Sequence, residues 1–431
     1  MKILAIGGCG SMARYALKAA QNFDAIDEII IPDINEESAT SFAATLNNKV
    51  SAVRLDVSDN QALKLAMKNI NIVVNTCGPF FKFGEPILNS AIDSGCHYLD
   101  ICDDWEPTLE MMKLDANAKS AGVSATIGLG ASPGLTNLMA LIAIRELDEV
   151  TTVYTGWDAG AATIDETAKQ QSTNAAMLHA IEQMTGKVKI YQDSAYQMVK
   201  PLQAINVEYP GLPNLTGNIF GHPEAVTFPH YFPELKDCIN LAHGGSLDSI
   251  IIKVLTGLVN IGFLSKAKAS NLFSWLESQE SQQKKPNANN HLPSMYGFAH
   301  GSKNGVPGSV GVCIMNDDDS FDRIGMGEIT GIPLACGIKM LAEGKINEAG
   351  VLAPEAGHIN PHDFISDVLD EISKFLELPL GSFEENIKII KGAEVTEILT
   401  ENKKVKGIKI NNSKIINSDY IICNSDPPNV Y

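Results

Sequence analysis

The sequence predicts an α/β protein with a doubly wound parallel sheet, a second α+β domain and a short C-terminal β-rich tail. Two observations carry this prediction. Short apolar runs alternate with helical segments over the first 130 residues, which is the rhythm of parallel strands joined by helices. A glycine turn also stands directly between the first apolar run and the first helix. After residue 150 this rhythm gives way to other strand-like segments, which predicts a separate layer.

The glycine turn fits a dinucleotide-binding loop. The first strand, 3–6, leads into Gly8-Cys9-Gly10-Ser11-Met12-Ala13, which matches the pattern G-x-G-x-x-[GA]. Gly8 permits the tight turn, and Gly10 lets the backbone and the positive helix end approach a pyrophosphate. The hexapeptide alone is also compatible with a glycine turn in another α/β unit. A second strand that ends in Asp33, at the expected distance of about 20 residues, favours a dinucleotide-binding Rossmann domain.

The acid at the end of the second strand bears on cofactor choice. Asp33 can bond both ribose hydroxyls and would repel a 2′-phosphate, so NAD is favoured over NADP. Arg14, just past the loop, can pair with a phosphate and keeps NADP as the alternative. Asp56, after the third strand, stands where a residue commonly borders the adenine. The predicted cofactor-binding residues are Gly8, Cys9, Gly10, Ser11, Met12, Asp33, Asp56, Thr76, Cys77 and Gly78.

The other elements of the sheet follow in order. Strands are predicted at 28–33, 53–57, 72–75, 98–102 and 124–129, with helices at 36–46, 60–68 and 86–94. The loops after these strands converge on one edge of a parallel sheet, where ligands bind. Later elements are strands at 150–156 and 188–191, a helix at 331–344, a closing segment at 350–354 and a loop at 278–290. The tail contains two strands joined at 401–403 and a third at 420–423.

Composition excludes several classes of partner. With 51 acidic and 33 basic residues the net charge is −18, which would repel nucleic acid and anionic membranes, so neither is expected. The eight cysteines lack metal-ligand spacing and indicate reduced thiols in a cytoplasmic protein without a metal. Met1 leads straight into the first strand and leaves no room for a signal peptide. The apolar stretch 250–264 is too short to span a bilayer and is predicted to be a core helix.

Five short segments resemble the saccharopine dehydrogenase/reductase-like family, which includes carboxynorspermidine dehydrogenases. They are Asn75-Thr76-Cys77-Gly78-Pro79-Phe80, His97-Tyr98-Leu99-Asp100, Ser132-Pro133-Gly134-Leu135-Thr136-Asn137, Gly221-His222-Pro223-Glu224 and Thr330-Gly331-Ile332-Pro333. The resemblance implies a nicotinamide-dependent oxidoreductase that makes or breaks a secondary amine through an imine. It also implies a homodimer with a Rossmann domain over 1–130 and a substrate and dimerisation domain over 131–355.

The sequence departs from the family pattern in two places. Saccharopine reductase has D-P-G after the sixth strand, whereas Ser132 precedes Pro133-Gly134 here. The fifth strand is followed by two acids, Asp103 and Asp104, which suit a cationic amine. Both departures argue against saccharopine itself as the substrate. The tail, 376–431, resembles an internal piece of phytoene desaturase-type flavoproteins, through Asn424-Ser425-Asp426-Pro427, but lacks a glycine loop for FAD.

Hydride transfer needs an accompanying proton acid or base, and three residues are candidates. Asp103 and Asp104 lie where the reacting carbon should sit, and two adjacent carboxylates can raise one another's pKa or bind an ammonium group. The alternative is a solvated acidic start to a helix. His222, in a loop of the second domain, is the third candidate, although a structural histidine is more common. His179 on a predicted helix is expected to be a core histidine, and Cys77 and Cys102 to be packing residues.

Two classes of function are therefore compatible with the sequence. The first is an NAD(P)-dependent oxidoreductase acting on a secondary amine or imine derived from an amino acid or polyamine. The second is a catalytically silent dinucleotide sensor. Only four arginines are present (Arg14, Arg54, Arg145 and Arg323), so a dicarboxylate substrate would find few bidentate partners. Substrate-dependent oxidation of NADH distinguishes the two classes.

Overall fold

A computed structural model describes residues 1–159, 180–244, 250–272, 291–314 and 324–377, and the strand segments 387–391, 395–401, 404–410 and 414–417. The helices are α1 (Ser11–Ala20), α2 (Glu36–Ala43), α3 (Asn60–Ala66), α4 (Phe80–Asp93), α5 (Trp105–Met112), α6 (Asp115–Ala121), α7 (Leu135–Arg145), α8 (Glu224–Tyr231), α9 (Ile250–Asn260), α10 (Met326–Ala342) and α11 (Pro361–Leu376).

The strands divide between three sheets. They are β1 (Lys2–Ile6), β2 (Glu28–Asp33), β3 (Val50–Arg54), β4 (Ile72–Asn75), β5 (His97–Asp100), β6 (Ser124–Thr126), β7 (Glu149–Asp158), β8 (Val188–Gln192), β9 (Ala195–Val199), β10 (Ala204–Val207), β11 (Leu215–Phe220), β12 (Asp237–His243), β13 (Met295–Lys303), β14 (Val306–Ile314), β15 (Gly350–Leu352), β16 (Ile387–Lys391), β17 (Val395–Glu401), β18 (Lys404–Ile410) and β19 (Lys414–Asn417).

The first sheet is parallel throughout, in the order β15-β6-β5-β4-β1-β2-β3. Residues 3–6 of the central strand β1 are all buried, because helices cover both faces of the sheet. This arrangement confirms the predicted doubly wound sheet. The order reverses between β1 and β4, so the loops after these strands border the crevice where such sheets bind ligands. The edge strand β3 starts three residues before the predicted 53–57, since its exposed residues give no apolar signal.

The second sheet is mixed, in the order β10-β11-β12-β7-β13-β14-β16, with the β8–β9 hairpin attached to β12. Among the described strands of this sheet, only β12 and β7 pair in parallel. Helix α7 leaves the first sheet and packs on this one, buried from Leu135 to Ile144. Gly297 of β13 permits the close approach, because a Cβ there would lie 2.0 Å from the Ala140 backbone nitrogen. Helix α7 thus connects the first sheet to the second sheet and packs against the second.

The chain returns to the first sheet near residue 326. Helix α10 packs directly on α1, where a Cβ on Gly331 would lie 2.3 Å from the Met12 carbonyl oxygen. Strand β15 then pairs with β6. Helix α10 and strand β15 both fall inside the range 131–355 that the sequence analysis assigned to the second domain. Strand β15 has only three residues, too few to show the period of a strand in the sequence. The helix also begins at 326 rather than at the predicted 331 and contains Pro333.

Two other segments differ from expectation. Helix α9 ends at Asn260 and buries Ile252 and Leu255, but Ile251 and Val254 are exposed, so the predicted core helix is amphipathic. Strand β16 extends the second sheet by pairing with β14. Strands β17, β18 and β19 form a separate antiparallel sheet, and the first two match the predicted pair. The predicted third strand, 420–423, and the predicted loop 278–290 lie outside the described residues.

Candidate dinucleotide and substrate site

The glycine loop between β1 and α1 packs closely against the neighbouring backbone. Gly10 has an extended backbone and caps α1, and its N–H donates to the Gly7 carbonyl at 2.9 Å. Gly7 adopts φ +75°, and a Cβ there would lie 2.8 Å from the Cys77 nitrogen. Gly7 directly precedes the glycine motif. The loop after β1 therefore lies against the loop after β4, with the amino end of α1 directed at the crevice.

Asp33 ends β2 beside this loop, as predicted. Its carboxylate is half-buried and accepts a hydrogen bond from the Asn35 backbone N–H at 2.8 Å. Asn35 in turn caps α2 by accepting from the Ser38 N–H. Burial, followed by the charge of Asp33, raises the pKa of the Cys9 thiol to about 11. Cys9 is therefore a neutral thiol that packs beside the acid.

Arg14 lies on the other side of the loop. Its Nε donates to the Cys9 carbonyl oxygen at 2.8 Å, and its guanidinium lies 4.4 Å from the centroid of the Phe42 ring. A groove of about 390 Å³ opens between α1 and α2, lined by Arg14, Asn35, Glu37, Ser38, Ser41, Phe42 and Thr45. Asp33 and Arg14 thus both lie beside the glycine loop, where the sequence predicts the ribose of the cofactor.

The remaining predicted cofactor residues lie on the same edge of the sheet. Thr76 donates from both its N–H and its hydroxyl to the Ile6 carbonyl, at 2.9 and 3.1 Å. Burial raises the pKa of the Cys77 thiol to about 11, which agrees with a packing role. Gly78 follows, joined to Pro79 by a cis peptide. Asp56 is exposed, and a hydrogen bond from the Ser58 N–H lowers the pKa of its carboxyl.

A buried polar chain supports the loops after β4, β5 and β6. Asn75 donates to the Tyr98 hydroxyl, which donates to Asp100 Oδ2, each at 2.9 Å. Asp100 Oδ1 accepts from the N–H groups of Cys102 and Gly128, at 3.0 and 2.7 Å. Burial raises the pKa of Asp100 to about 6 although these amides lower it. The sequence signal for this role is an acid at the end of a buried strand.

The two acids after β5 lie where the first sheet meets the second domain. Asp103 and Asp104 are half-buried, not fully solvated. The Asp104 carbonyl accepts from the Thr108 hydroxyl at 2.8 Å, and the Asp103 carbonyl accepts from Gln183 Nε2 at 3.2 Å. These bonds fix the loop against both α5 and the second domain. The predicted location at the sheet edge is thus observed, while the chemical role stays a prediction.

His222 lies in a buried cluster between the two sheets. Its ring stacks on Trp157, with centroids 5.6 Å apart, and its Nδ1 lies 3.2 Å from the Ser132 hydroxyl. Ser132 donates to the fully buried Glu224 at 2.6 Å, and Asn240 donates to both. We name Ser132, His222, Glu224 and Asn240 the junction cluster. It joins the loop after β6 to β11, α8 and β12.

A second buried acid lies near the junction cluster. Glu355 accepts from Asn137 Nδ2 at 2.8 Å, and burial raises the pKa of its carboxyl to about 7, with Glu224 contributing. His358 is half-buried; its Nε2 lies 2.9 Å from the Thr126 hydroxyl, and the partial removal of its ring from water lowers its pKa to about 4. Sequence reasoning missed Glu224, Asn240 and Glu355, although the Gly221–Glu224 segment was noted.

The geometry separates the predicted residues into two groups. The loops after β1, β2 and β4 form the dinucleotide edge, while Asp103, Asp104 and His222 flank the junction with the second domain. Gly221 links these last elements, because a Cβ on it would lie 3.9 Å from Trp105 Cδ1. His179 lies outside the described residues. Within the described part of the chain no three His, Cys, Asp or Glu side chains could hold a metal, and no helix is long and apolar enough to cross a membrane.

Fold and site define an NAD(P)-binding Rossmann protein with a second sheet over the ligand edge. Residues 3–126 match the family model described as the saccharopine dehydrogenase NADP binding domain, and residues 130–375 match the saccharopine dehydrogenase C-terminal domain. The chain therefore belongs to the saccharopine dehydrogenase family of NAD(P)-binding oxidoreductases. These matches give no support to the flavoprotein likeness predicted for 376–431.

Individual relatives agree with this assignment. A rat saccharopine dehydrogenase-like oxidoreductase is 34% identical over 78 residues, 18% of each chain. A carboxyaminopropylagmatine dehydrogenase from Synechocystis is 22% identical over 246 residues, 54% of this chain and 59% of the relative. Both matches span less than two thirds of the curated relative. Apo saccharopine dehydrogenase (L-Glu forming) from Saccharomyces cerevisiae shares the fold, with a TM-score of 0.56 at 14% identity over 90% of this chain and 99% of that one.

Proposed function

We propose that this protein is an NAD(P)-dependent oxidoreductase that acts on a CH–NH bond, interconverting a secondary amine and an imine. The observation that carries the proposal is the pair of half-buried acids, Asp103 and Asp104, where the nucleotide-binding sheet meets the second domain. A nicotinamide cofactor, which the loops after β1, β2 and β4 would hold, would supply the hydride acceptor for the carbon that bears nitrogen in the oxidative direction. The nitrogen loses its proton to a base of the protein as the C=N bond forms.

The acids favour a cationic substrate. A bound ammonium group would be attracted by these two half-buried carboxylates, which would orient the reacting carbon. The net charge of −18 adds long-range attraction for a cation. The name of the Synechocystis relative, a carboxyaminopropylagmatine dehydrogenase, supports a substrate derived from a polyamine or an amino acid.

His222 is the second candidate for proton transfer. Its ring is buried and held by Trp157 and Phe220, with ring centroids at 5.6 and 5.3 Å. An imidazole of this kind can take the proton that the amine releases and return it in the reductive direction. We assign Asp103 or Asp104 as ammonium anchor or proton acceptor, and His222 as acid and base.

The test is turnover of nicotinamide cofactor with imine-forming pairs, each an amine mixed with an aldehyde or 2-oxo acid, followed by NADH absorbance. Oxidation of NADH is expected with a pair whose amine component is cationic. Gly10→Val should abolish both NADH binding and turnover, because its side chain would stand where the pyrophosphate must lie. Absence of turnover with every pair, alongside normal NADH binding, would favour the dinucleotide sensor.

The acids are then tested directly. Asp103→Asn and Asp104→Asn should each lower kcat/KM at least about 10-fold, the equivalent of losing roughly 1.4 kcal/mol of transition-state stabilisation, without weakening NADH binding. Glu110→Gln is the matched control, because Glu110 lies on α5, is exposed and pairs with Lys113. Full activity in the Asp103→Asn, Asp104→Asn double variant would remove both acids from the site.

A further inference from the structure

The Ser132 hydroxyl has one proton and three close polar neighbours. Its oxygen lies 2.6 Å from Glu224 Oε1, 3.1 Å from Asn240 Nδ2 and 3.2 Å from His222 Nδ1. The first distance is in the range of a charge-assisted O–H···O⁻ bond and is the shortest of the three. The hydroxyl proton of Ser132 therefore points at the Glu224 carboxylate. Its lone pairs face the other two neighbours.

The Asn240 amide orientation is fixed independently. Trp157 Nε1 is a donor only, and it lies 3.3 Å from the atom assigned as Asn240 Oδ1. The amide oxygen must therefore face the indole, which turns the NH₂ group toward Ser132, Glu224 and the Thr155 hydroxyl. Asn240 can thus only donate to Ser132.

The proton on His222 follows from this inventory. The one proton of the Ser132 hydroxyl is directed to Glu224. If Nδ1 of His222 were unprotonated, its lone pair would therefore face a lone pair of the Ser132 oxygen. An N–H at Nδ1 instead donates to that oxygen, and the tautomer of a histidine is set by such a bond. Glu224 Oε2, 3.9 Å from Nδ1, adds attraction for a protonated nitrogen.

We infer that Ser132, Glu224 and Asn240 are positioning residues that hold a proton on Nδ1 of His222, so that Nε2 is the nitrogen that gains and loses a proton. The inference rests on the proposed function for its catalytic meaning, but the proton position is a property of the protein alone. Ser132 belongs to the loop after β6 of the nucleotide-binding sheet, whereas Glu224 and Asn240 lie on α8 and β12. The position of the His222 proton is thus set only when the loop after β6 packs against α8 and β12.

The test is ¹⁵N NMR of the full chain labelled on histidine, without substrate, from pH 6 to 9. The His222 signals are assigned by their loss in His222→Gln. We expect Nδ1 to show the shift of a protonated nitrogen at every pH, with any titration confined to Nε2. An unprotonated Nδ1 at any of these pH values would overturn the inference, and this result requires no variant.

Three variants sharpen the test. Ser132→Ala removes the acceptor for Nδ1, so its signal should move toward the unprotonated position, while Ser132→Thr keeps a hydroxyl and should restore the wild-type spectrum. Thr136→Val removes a different donor to Glu224, 3.0 Å away, and should leave the His222 signals unchanged. Wild-type signals in Ser132→Ala would contradict the inference. Because no substrate is used, failure of the proposed amine chemistry would not alter any of these readings.

Discussion

Asp33 and Arg14 place opposite charges beside the predicted ribose site. Asp33 is held by the Asn35 N–H, which points its carboxylate along the end of β2, while Arg14 is held by the Cys9 carbonyl and the Phe42 ring. The sequence predicted both residues, because a strand end and a glycine loop are local features. It favoured NAD because of Asp33, but it could not show the groove between α1 and α2, which forms only when the two helices pack.

We expect Asp33 to select NADH. Asp33→Ala should weaken NADH binding by about 1–3 kcal/mol, the contribution of a hydrogen bond to a charged acceptor, and should strengthen NADPH binding by removing repulsion of the 2′-phosphate. Arg14→Ala should weaken NADPH more than NADH. Fluorescence titration of both cofactors measures this, and an NADH affinity unchanged in Asp33→Ala would show that the ribose lies elsewhere.

Glu355 makes stability depend on pH. Burial raises its pKa from 4.5 to about 7, so the folded state keeps a proton that the unfolded state releases between those values. Stability should therefore fall as pH rises from about 4.5 to about 7, by up to about 3 kcal/mol. Glu355→Gln should raise the melting temperature relative to wild type at pH 8 more than at pH 5. An equal difference at both pH values would show that Glu355 does not titrate in this range.

At the scale of elements, the contact between α1 and α10 explains why local patterns failed. The sequence placed the start of the later helix at Gly331, but the helix begins at 326 and needs small residues at its crossing with α1. Gly327 faces the Tyr15 ring and Gly331 faces the Met12 carbonyl oxygen. These glycines are explained by packing against a helix more than 300 residues earlier in the chain, which no local window contains.

A larger side chain at the contact between α1 and α10 should lower stability and disturb the glycine loop before α1. Gly331→Ala places a Cβ 2.3 Å from the Met12 carbonyl oxygen, so α1 and α10 must separate, at a cost of about 1–3 kcal/mol. Because the amino end of α1 is predicted to hold the pyrophosphate, NADH affinity should fall as well. Gly257→Ala on α9 is the matched control, since its Cβ would meet nothing within 4 Å. Urea unfolding and NADH titration measure both effects; a Gly331→Ala variant equal to the control would contradict the tight crossing.

Across the whole molecule, the class of fold was predictable and the junction was not. The parallel sheet follows from strand and helix periods that are each contained in about 30 residues. Ser132, Glu224 with Asn240, and Glu355 come from three distant parts of the chain, and the buried acids among them have no local pattern. Only the tertiary structure shows that the second sheet meets the nucleotide-binding loops through buried polar groups.

The last prediction concerns the segment after α11. The sequence predicts that a chain ending near residue 375 keeps its fold and NADH binding. The structure changes this expectation, because β16 pairs with β14 along five residues and its Ile387 is buried at 6% exposure. By contrast, the described strands β17–β19 pair only with one another. The limit of the folded unit should therefore lie after β16.

Two truncated chains test this limit by thermal unfolding and NADH titration. A chain ending at residue 391 should keep the melting temperature and NADH affinity of the full chain. A chain ending at residue 377 exposes the edge of β14 and uncovers core side chains, so its melting temperature should fall by about 4 °C or more, while NADH affinity, set at the far sheet, should change little. Equal stability of the two truncated chains would show that β16 contributes nothing to the second sheet, and a large loss at 391 would make β17–β19 integral.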